Sequence, residues 1–345
     1  MSRKEPQTRA LNKAEVLIEA LPWIKEATGK TVVIKYGGAA MVDAELRESV
    51  MSDIVLMKII GLNPIVVHGG GRDITHLSEQ LGLPAVFKDG MRVTPPELMD
   101  VVKMALIGKV NQELVAQLNK HGHIAVGLNG ADGHIVKAKR ISQELGMVGR
   151  VEEIDTTLLA DLIDGDYVPL IASVAVGADG LSYNVNADVV AGEIAAAIGA
   201  HKVIFLTDVD GLYRDFADKS TLISRLNLTE ARALLAKGLL AEGMLPKLQS
   251  CVQAVSEGVF RAHILNGTLP HALLLEIFTN EGVGTMIMPD EEERSQSSRL
   301  AAPLDGLAGK LHGLHRGDGS LCAVSQGHNP KADKDCTKGT VPSVQ

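Results

Sequence analysis

A lysine followed by two glycines is the first group in the sequence that could bind a phosphate. Lys35 stands near the end of an apolar, β-branched run and is followed by Tyr36, Gly37 and Gly38. At the carboxyl end of a parallel strand, glycines let backbone N–H groups approach an anion closely, and a lysine can neutralise its charge. The alternative is a solvated lysine beside an ordinary turn.

A second lysine, Lys247, lies at the predicted start of a helix. It follows Gly243-Met244-Leu245-Pro246 and precedes a segment rich in Ala and Val. The N-terminus of a helix disfavours positive charge. A lysine at this position is therefore better explained if an anion shares the site.

Three consecutive glycines, Gly69–Gly71, follow the next predicted strand. Such a run loses much conformational entropy on folding, which favours a role that needs unusual backbone angles or contact with a ligand. We interpret the preceding His68 as a packed residue at the strand end rather than as a base. Neither glycine turn has the spacing of a P-loop or of a dinucleotide fingerprint, so those motifs do not support nucleotide binding here.

Two further polar segments fit a carboxylate ligand. Arg92 lies in a turn before a predicted helix, and a guanidinium is a natural bidentate partner for a carboxylate, although a lone loop arginine is usually solvated. Asn184, Asn186 and Asp188 converge on one predicted helix entrance. A helix cap would explain one of these three residues but not all of them.

A last polar group follows the predicted strand over residues 202–207. It comprises Thr207, Asp208, Asp210 and Gly211. These side chains suit contacts with an adenine or a ribose. Taken alone, they are equally consistent with an ordinary Asp-Gly turn.

The elements that must position these residues repeat one order of strand, glycine turn and helix. Five buried runs share the strand pattern: 31–36, 64–68, 124–128, 168–172 and 202–207. Their alternation with helical spacing predicts a mainly parallel sheet with crossover helices. Residues 131–155 predict a small antiparallel flap. Residues 10–28 predict an amphipathic helix whose apolar positions extend from Leu11 to Ile24.

Composition narrows the class of protein. A net charge of −8 argues against a surface for nucleic acid. The three cysteines lack the paired spacing of a zinc site or a disulfide framework, which favours a reducing compartment. The chain begins with polar residues, and no apolar run reaches the ~20 residues of a membrane span. We therefore expect a cytoplasmic protein that binds neither nucleic acid nor membrane.

A change of composition near Pro289 divides the chain. Residues 289–345 are rich in charged and small residues and have no sustained hydrophobic period, so we expect a disordered tail. The predicted organisation is thus an N-terminal extension over residues 1–28, a compact α/β domain over residues 29–288, and this tail.

In order and spacing, six segments resemble the acetylglutamate kinases of the amino acid kinase family. They are Lys35-Tyr36-Gly37-Gly38, His68-Gly69-Gly70-Gly71, Arg92-Val93-Thr94, Asn184-Val185-Asn186-Ala187-Asp188, Thr207-Asp208-Val209-Asp210-Gly211 and Gly243-Met244-Leu245-Pro246-Lys247. The likeness covers about residues 10–288. Arg72 departs from it, because the family commonly has a proline or a small residue after the glycine triplet. The resemblance implies an open three-layer αβα sandwich with a mainly parallel central sheet.

The resemblance also implies a role for each motif. Residues 29–180 would bind N-acetyl-L-glutamate, and residues 181–288 would bind ATP. The implied substrate-binding residues are Gly70, Gly71, Arg92, Asn184 and Asn186. The implied phosphate- and nucleotide-binding residues are Gly37, Gly38, Thr207, Asp208, Asp210 and Gly211. The implied catalytic residues are Lys35, Lys247 and Asp188.

The implied reaction is the ATP-dependent phosphorylation of the γ-carboxylate of N-acetyl-L-glutamate, a step of arginine biosynthesis. A glutamate side chain ionises near pH ~4.3, so no general base is required. Catalysis then reduces to positioning and charge neutralisation. Mg²⁺ would be held mainly by the ATP phosphates and water, because the sequence offers no carboxylate cage and we expect no dedicated metal site.

The resemblance extends to arginine-inhibited members, in which N-terminal helices interlace and link three dimers into a hexamer. The extension before Lys35 fits this type, because its apolar stripe has no obvious partner within the sandwich. A helix packed on its own subunit is the alternative. His263, Glu276 and Gly282 match the family's arginine pocket in spacing. We therefore expect a homo-hexamer, a trimer of dimers, that L-arginine inhibits.

Two other functions stay open at this point. One is another phosphotransferase of the same family, such as a glutamate 5-kinase or an aspartate kinase. The other is a regulatory binding protein that keeps the fold without catalysis. The presence of both lysines and the aspartate counts against this second alternative.

Overall fold

The computed structural model describes residues 4–41, 43–238, 240, 243–279 and 282–290. Of the predicted tail, only Pro289 and Asp290 fall within these ranges, so the expected disorder of the remainder lies outside the described residues. Asp290 contacts the domain, because its carboxylate accepts hydrogen bonds from the backbone N–H and the hydroxyl of Thr229. No helix within the described ranges is long and apolar enough to span a membrane.

The described helices follow the strand and helix alternation expected from the sequence. They are α1 (Lys4–Ala27), α2 (Ala44–Ile59), α3 (Gly71–Gln80), α4 (Pro96–Lys103), α5 (Gln112–Leu118), α6 (Thr157–Asp164), α7 (Ala187–Ala197), α8 (Leu228–Ala236), α9 (Leu245–Ser256) and α10 (Ala272–Phe278). A π-helical stretch, Met104–Asn111, joins α4 to α5 and is called the π segment below. Single 3-10 turns cover Gly38–Met41, Asn119–His121, Asp132–His134 and Lys219–Thr221.

The described strands form three sheets. They are β1 (Thr31–Tyr36), β2 (Asn63–His68), β3 (Phe87–Lys88), β4 (Met91–Arg92), β5 (Ala125–Asn129), β6 (Val136–Arg140), β7 (Gly149–Ile154), β8 (Val168–Ala172), β9 (Val174–Val176), β10 (Ser182–Asn184), β11 (Lys202–Thr207), β12 (Arg225–Asn227), β13 (Arg261–Asn266) and β14 (Thr285–Met288). All five strands predicted from buried runs are present, with bounds that differ by at most one residue at either end.

The central sheet has eight strands in the order β12-β14-β13-β11-β1-β2-β8-β5. Its neighbouring strands are parallel except for the antiparallel pair β13–β14. Lys35 of β1 pairs with Phe205 of β11 on one side and with Val67 of β2 on the other. The carboxyl ends of these three strands therefore lie side by side, and each of them leads into one of the predicted ligand-binding turns.

Side chains of β1 pack into two separate cores. Val33 belongs to a core that includes Val190 of α7 and Leu248 of α9. Val32 and Ile34 belong to another core, which is built with α2, α5 and α10. Because successive residues of a strand point to opposite faces of the sheet, helices must cover both faces. The predicted three-layer αβα sandwich with a mainly parallel sheet is confirmed.

The predicted flap is present and is larger than expected. Strands β6 and β7 pair in the antiparallel direction, with a register shift between Lys137 and Ala138. The short strands β9 and β10 extend this pair to a four-stranded sheet in the order β10-β9-β6-β7. Three-residue strands carry little periodicity, so their sequence gave no separate signal.

Helix α1 packs on its own chain through its C-terminal part. Ala20, Trp23 and Ile24 lie against the core that contains α2 and α10. Val16 and Ile18 are 63% and 69% exposed. The side chains of residues 4–14 and 17 lie outside what the structure describes. Of the described positions in the predicted apolar stripe, Ile24 packs against the core, whereas Ile18 and Leu21 are exposed.

Candidate active site

A single buried carboxylate contacts both candidate lysines. Lys35 Nζ lies 3.0 Å from Asp188 Oδ1, and Lys247 Nζ lies 3.1 Å from Asp188 Oδ2. Burial by itself would raise the pKa of Asp188, but the positive charges of Lys35 and Lys247 outweigh it and hold that pKa below its usual value. Asp188 is therefore ionised at neutral pH and holds two cations rather than accepting a proton.

The three members of this cluster come from three different elements. Lys35 is on β1, Asp188 is in the first turn of α7, and Lys247 is in the first turn of α9. Asn186 begins α7, because its side-chain oxygen accepts a hydrogen bond from the backbone N–H of Asp188 at 2.8 Å. Lys247 Nζ also donates to the carbonyl of Gly243 at 3.2 Å. The predicted position of Lys247 at a helix N-terminus is confirmed.

A cavity of ≈ 520 Å³ lies beside the glycine turns. It is lined by Gly38, Met41, Gly70, Gly71, Arg72, Asp73, Thr75, His76, Glu79, Phe87 and Arg92. Four residues predicted to bind substrate or phosphate thus line the same cavity: Gly38, Gly70, Gly71 and Arg92. Arg72, the departure from the family pattern, lines the same cavity.

Arg92 is buried, and only part of its guanidinium group is hydrogen-bonded to the described residues. Its Nη2 donates to the carbonyl of Gly71 at 2.9 Å and to the hydroxyl of Thr75 at 2.7 Å. Its guanidinium carbon lies 4.7 Å from the centre of the Phe87 ring. Among the described residues, Nη1 has no hydrogen-bond partner although it is buried. A buried donor without a partner is costly, so this atom suits an incoming carboxylate.

Asn184 is joined to Arg92 through one intervening residue. Its amide donates to Thr94 Oγ1 at 3.2 Å, and that hydroxyl donates to the carbonyl of Arg92 at 2.8 Å. Asn184 does not itself line the cavity. Asn186, which was predicted to bind substrate, uses its side chain as the cap of α7.

The predicted nucleotide residues lie at the end of β11, next to the glycine pair that follows β1. Thr207 is buried and donates to Asp208 at 3.2 Å. Asp210 accepts hydrogen bonds from Asn266 at 2.8 Å and from the Tyr213 hydroxyl at 2.7 Å. These two bonds lower the pKa of Asp210, and the bond to Asp210 raises the pKa of Tyr213 to about 12. Both oxygens of Asp210 therefore already have partners that shape the loop.

Gly211 has a structural reason to be glycine. Its φ of +154° lies at the edge of the region that favours glycine, and a Cβ atom there would lie 2.5 Å from Thr285 Oγ1. This hydroxyl also accepts a hydrogen bond from the backbone N–H of Leu212. The loop end is thus packed against β14.

The three residues of the predicted arginine site lie together. His263 Nδ1 lies 2.7 Å from Glu276 Oε1, and the backbone N–H of Val283 donates to Glu276 Oε2 at 2.8 Å. A Cβ atom on Gly282, whose φ is +51°, would lie 3.4 Å from that same oxygen. Burial lowers the pKa of His263 despite the opposing effect of Glu276. Glu276 is thus a buried carboxylate whose two oxygens are both hydrogen-bonded.

Sequence reasoning missed several residues that complete these sites. Thr75 and Phe87 hold Arg92, and Thr94 links Arg92 to Asn184. Phe87 had a usable signal, since an aromatic residue beside an Asp-Gly turn is a candidate ligand contact. Thr75 had no signal in the sequence, because its hydrogen bond with Arg92 depends on how the chain folds. Among the described residues, no group of three His, Cys, Asp or Glu side chains could hold a metal ion.

Comparison with known proteins decides the family. The amino acid kinase family matches residues 30–266 of the chain. An acetylglutamate kinase from Caldanaerobacter subterraneus subsp. tengcongensis is 50% identical over 289 residues, which cover 83% of this chain and 97% of that relative. The chain belongs to the acetylglutamate kinase family. The predicted family and the predicted phosphotransferase class are confirmed, and these relatives favour acetylglutamate kinase over the other functions left open by the sequence.

Solved structures agree on the fold of this acetylglutamate kinase family member. N-acetylglutamate synthase from Neisseria gonorrhoeae, complexed with coenzyme A and N-acetyl-glutamate, has a TM-score of 0.72 and 25% identity over 80% of this chain. The match spans 63% of the synthase chain. Carbamate kinase from Giardia lamblia bound to AMP-PNP has a TM-score of 0.58 and 19% identity, covering 76% of this chain and 100% of that chain. The second likeness shows a shared fold.

Proposed function

We propose that the chain transfers the γ-phosphoryl group of ATP to the γ-carboxylate of N-acetyl-L-glutamate at the cluster of Lys35, Asp188 and Lys247. The observation that carries this proposal is the carboxylate of Asp188 between two ammonium groups. One carboxylate neutralises only one of the two lysines, so the cluster keeps a net positive charge. A phosphoryl group in transfer between two anionic oxygens needs such a charge nearby.

In this proposal each member of the cluster has a separate role. Lys35 and Lys247 stabilise negative charge on the transferring group and on the leaving β-phosphate. Asp188 holds the two lysines in register and stays ionised. Backbone N–H groups of Gly38 and Gly70 add hydrogen bonds to the phosphoryl oxygens. The substrate carboxylate is already ionised at neutral pH, so no side chain has to remove a proton.

The cavity beside the cluster is the proposed site for the acetylated amino acid. Arg92 would bind the α-carboxylate of N-acetyl-L-glutamate through its buried Nη1, which has no hydrogen-bond partner among the described residues. Asn184 would support it through Thr94. The glycines at positions 70 and 71 line the same cavity and would hold the reacting end of the substrate. In the N. gonorrhoeae synthase, a chain with 25% identity, N-acetyl-glutamate is a bound ligand.

ATP with Mg²⁺ would enter from the side of β11. Residues 181–288 form the proposed nucleotide half, with Thr207 and Asp208 beside the phosphates or ribose and the loop at Asp210 and Gly211 further out. The parallel pairing of β1 with β11 supports this placement, because it brings the end of β11 next to Gly37 and Gly38. Mg²⁺ would arrive as part of the Mg·ATP substrate and would be held mainly by phosphates and water.

The proposal includes inhibition by L-arginine at His263, Glu276 and Gly282. A guanidinium would replace the hydrogen bond between His263 and Glu276, and its planar fork suits a carboxylate. Arginine would favour a state in which the two halves of the domain are held apart, and its effect cannot exceed its differential affinity for that state. The proposed setting is a cytoplasmic homo-hexamer in arginine biosynthesis.

The exposed part of α1 supports the proposed assembly. Val16, Ile18 and Leu21 are large apolar side chains on the outside of this helix. Exposed apolar residues that cluster on one element often mark an interaction surface. A second copy of the same helix is the proposed partner, linking dimers into a trimer of dimers.

The substrate half of the proposal is tested by ADP release with a panel of phosphoryl acceptors. The panel comprises N-acetyl-L-glutamate, glutamate, aspartate, carbamate and UMP. We expect acetylglutamate to give the highest kcat/KM. A higher kcat/KM with glutamate or aspartate would contradict the assigned substrate, and ADP release with none of the five would favour a protein that binds without catalysis.

A further inference from the structure

The π segment lies directly against the glycine run Gly69–Gly71. A Cβ atom on Gly70 would lie 2.6 Å from Leu106 Cδ2 and 3.2 Å from Val110 Cγ2, so a side chain at position 70 would collide with this segment. Lys109 of the same segment donates to Asp73 Oδ1 at 2.6 Å. The π segment therefore packs against the connection between β2 and α3 and also forms an ion pair with the first turn of α3. Such π-helical stretches often occur at functional sites.

Asn111, the last residue of the π segment, is buried beneath the sheet. Its Nδ2 lies 2.9 Å from His68 Nε2, 2.9 Å from the Leu170 carbonyl and 3.3 Å from the Leu128 carbonyl. A single amide thus contacts the three adjacent strands β2, β8 and β5. Gly127 leaves the space for it, because a Cβ atom there would lie 2.1 Å from Asn111 Oδ1.

His68 connects Asn111 to the glycine run. Its Nδ1 lies 3.0 Å from the carbonyl oxygen of Gly69. A carbonyl only accepts, so Nδ1 carries the ring proton and Nε2 is free to accept from Asn111. Burial lowers the pKa of His68 to about 4, which keeps the ring neutral at pH 7. The interpretation of His68 as a packed residue at the strand end is correct. Each of its two ring nitrogens has a defined hydrogen-bond partner, which fixes the orientation of the ring.

The carbonyl that His68 holds belongs to the same peptide group as the Gly70 N–H. In a planar trans peptide the C=O and N–H bonds point in opposite directions, so fixing the Gly69 oxygen fixes the direction of the Gly70 N–H. The backbone N–H of Gly69 is held as well, by the carbonyl of Tyr36 at 3.3 Å. Without these contacts, consecutive glycines would have many backbone conformations available.

We propose that Asn111 is a positioning residue for phosphoryl transfer, which acts through His68 to orient the peptide between Gly69 and Gly70. This inference rests on the proposed function, in which the Gly70 N–H binds the transferring group. Asn111 itself is buried and does not line the cavity, so it would not touch a substrate bound there. Its effect should therefore appear in the rate of the chemical step rather than in the binding of either substrate.

The test compares Asn111→Ala with Asn119→Ala, His68→Leu and the double variant of positions 68 and 111. Asn119 is the control, since this asparagine directly after α5 also uses its side chain to join a helical segment to the region of β5, through the backbone N–H groups of Ile124 and Ala125. Both asparagine variants lose side-chain hydrogen bonds, mostly buried at Asn111 and partly buried at Asn119, so both should lower the melting temperature. Only Asn111→Ala should lower kcat, by roughly tenfold to a hundredfold, with the KM of both substrates changed by less than about threefold.

The double variant separates a path through His68 from a general packing defect. If Asn111 acts through His68, then His68→Leu should lose a similar factor in kcat, and the double variant should lose no more than either single variant. A normal kcat in folded Asn111→Ala, or kcat losses that multiply in the double variant, would overturn the proposal. Should Asn111→Ala fail to fold, His68→Leu decides alone, and a normal kcat there would overturn it.

A parallel Lys35→Ala variant distinguishes failure of this inference from failure of the proposed function. If Lys35→Ala loses turnover while Asn111→Ala keeps it, only the role of Asn111 is wrong. If Lys35→Ala keeps turnover, the proposed site of phosphoryl transfer is itself wrong.

Discussion

Lys35 and Asp188 form a largely buried ion pair, 3.0 Å between Nζ and Oδ1, although they lie 153 positions apart in the chain. The pair joins the end of the central strand β1 to the first turn of α7. An ion pair of this kind contributes little net stability unless its geometry is good and its remaining atoms are satisfied. Its second carboxylate oxygen is satisfied by Lys247. The arrangement is better explained by the need to hold two cations at one point than by stability.

Asp188→Asn tests whether the carboxylate holds the lysines in register. The neutral amide would leave two ammonium groups close together without a shared anion, so we expect kcat to fall by roughly a hundredfold. Unfolding free energy should also fall, by up to about 3–5 kcal/mol, because a partly buried charge loses its partner. Steady-state kinetics and urea unfolding measure both, with Asp161→Asn on the surface of α6 as the control. Unchanged kcat would show that Asp188 is only structural.

Arg92→Ala tests the substrate half of the site. Hydrogen bonds to a charged group are worth about 1.5–3 kcal/mol, so the KM for N-acetyl-L-glutamate should rise by roughly tenfold to a hundredfold. The KM for ATP should stay the same, and kcat should fall by a smaller factor. Arg150→Ala, an exposed arginine of β7, serves as the control. Loss of ATP affinity with normal acetylglutamate affinity would mean that the substrate half is misplaced.

The stability of the chain should depend on pH through His68 and Asp53 with opposite signs. Burial lowers the pKa of His68 from 6.5 to about 4, so the unfolded chain binds more protons between these values and stability rises with pH there. Burial raises the pKa of Asp53 from 3.8 to about 6, despite its bond to His271, so this residue makes stability fall with pH across that range.

Two variants separate these contributions in urea unfolding between pH 4 and 6.5. Removing His68 by His68→Leu should flatten the rise of stability with pH, by at most about 1.4 kcal/mol per pH unit. Removing Asp53 by Asp53→Asn should make the rise steeper. Slopes that change in the same direction in both variants would contradict the assigned protonation states.

Glu276→Ala tests regulation separately from catalysis. If L-arginine binds this buried carboxylate, the variant should need roughly tenfold or more arginine for half-inhibition, since a charge-assisted hydrogen bond is lost. Its uninhibited kcat should stay close to that of the parent chain. Inhibition curves with Glu152→Ala as a surface control provide the measurement. A parent chain indifferent to millimolar arginine would refute the regulatory proposal and leave the kinase assignment standing.

Much of the sheet was predictable because its signals are local. The runs at 31–36 and 202–207 are apolar and β-branched, and a parallel strand buried on both faces needs such a run. The glycine turns were visible for the same reason. The pairing of β1 with β11 was not derivable from these runs alone, because adjacency of strands 165 or more residues apart is decided by packing of the whole domain.

Side-chain relations in the site were predictable only in part. The resemblance implied that Lys35, Lys247 and Asp188 act together in catalysis, and in the structure Asp188 contacts both lysines. The capping alternative for Asn186 also describes its contact correctly. The π segment had no sequence signal, since Met104–Asn111 has the apolar spacing of an ordinary helix. Its relation to Gly70 through Leu106 and Val110 depends on three-dimensional contact.

Turnover of Lys35→Ala and Lys247→Ala at saturating ATP and N-acetyl-L-glutamate tests the proposed site of phosphoryl transfer most directly. Removing one group that stabilises transition-state charge typically costs about 2.7–4 kcal/mol, so each variant should lose roughly 10²- to 10³-fold in kcat. Lys137→Ala, which removes an exposed ion pair of the flap, is the control and should keep normal turnover. Melting curves would establish that all three variants are folded. Near-normal ADP release from a folded Lys35→Ala or Lys247→Ala variant would contradict the assignment of phosphoryl transfer to this cluster.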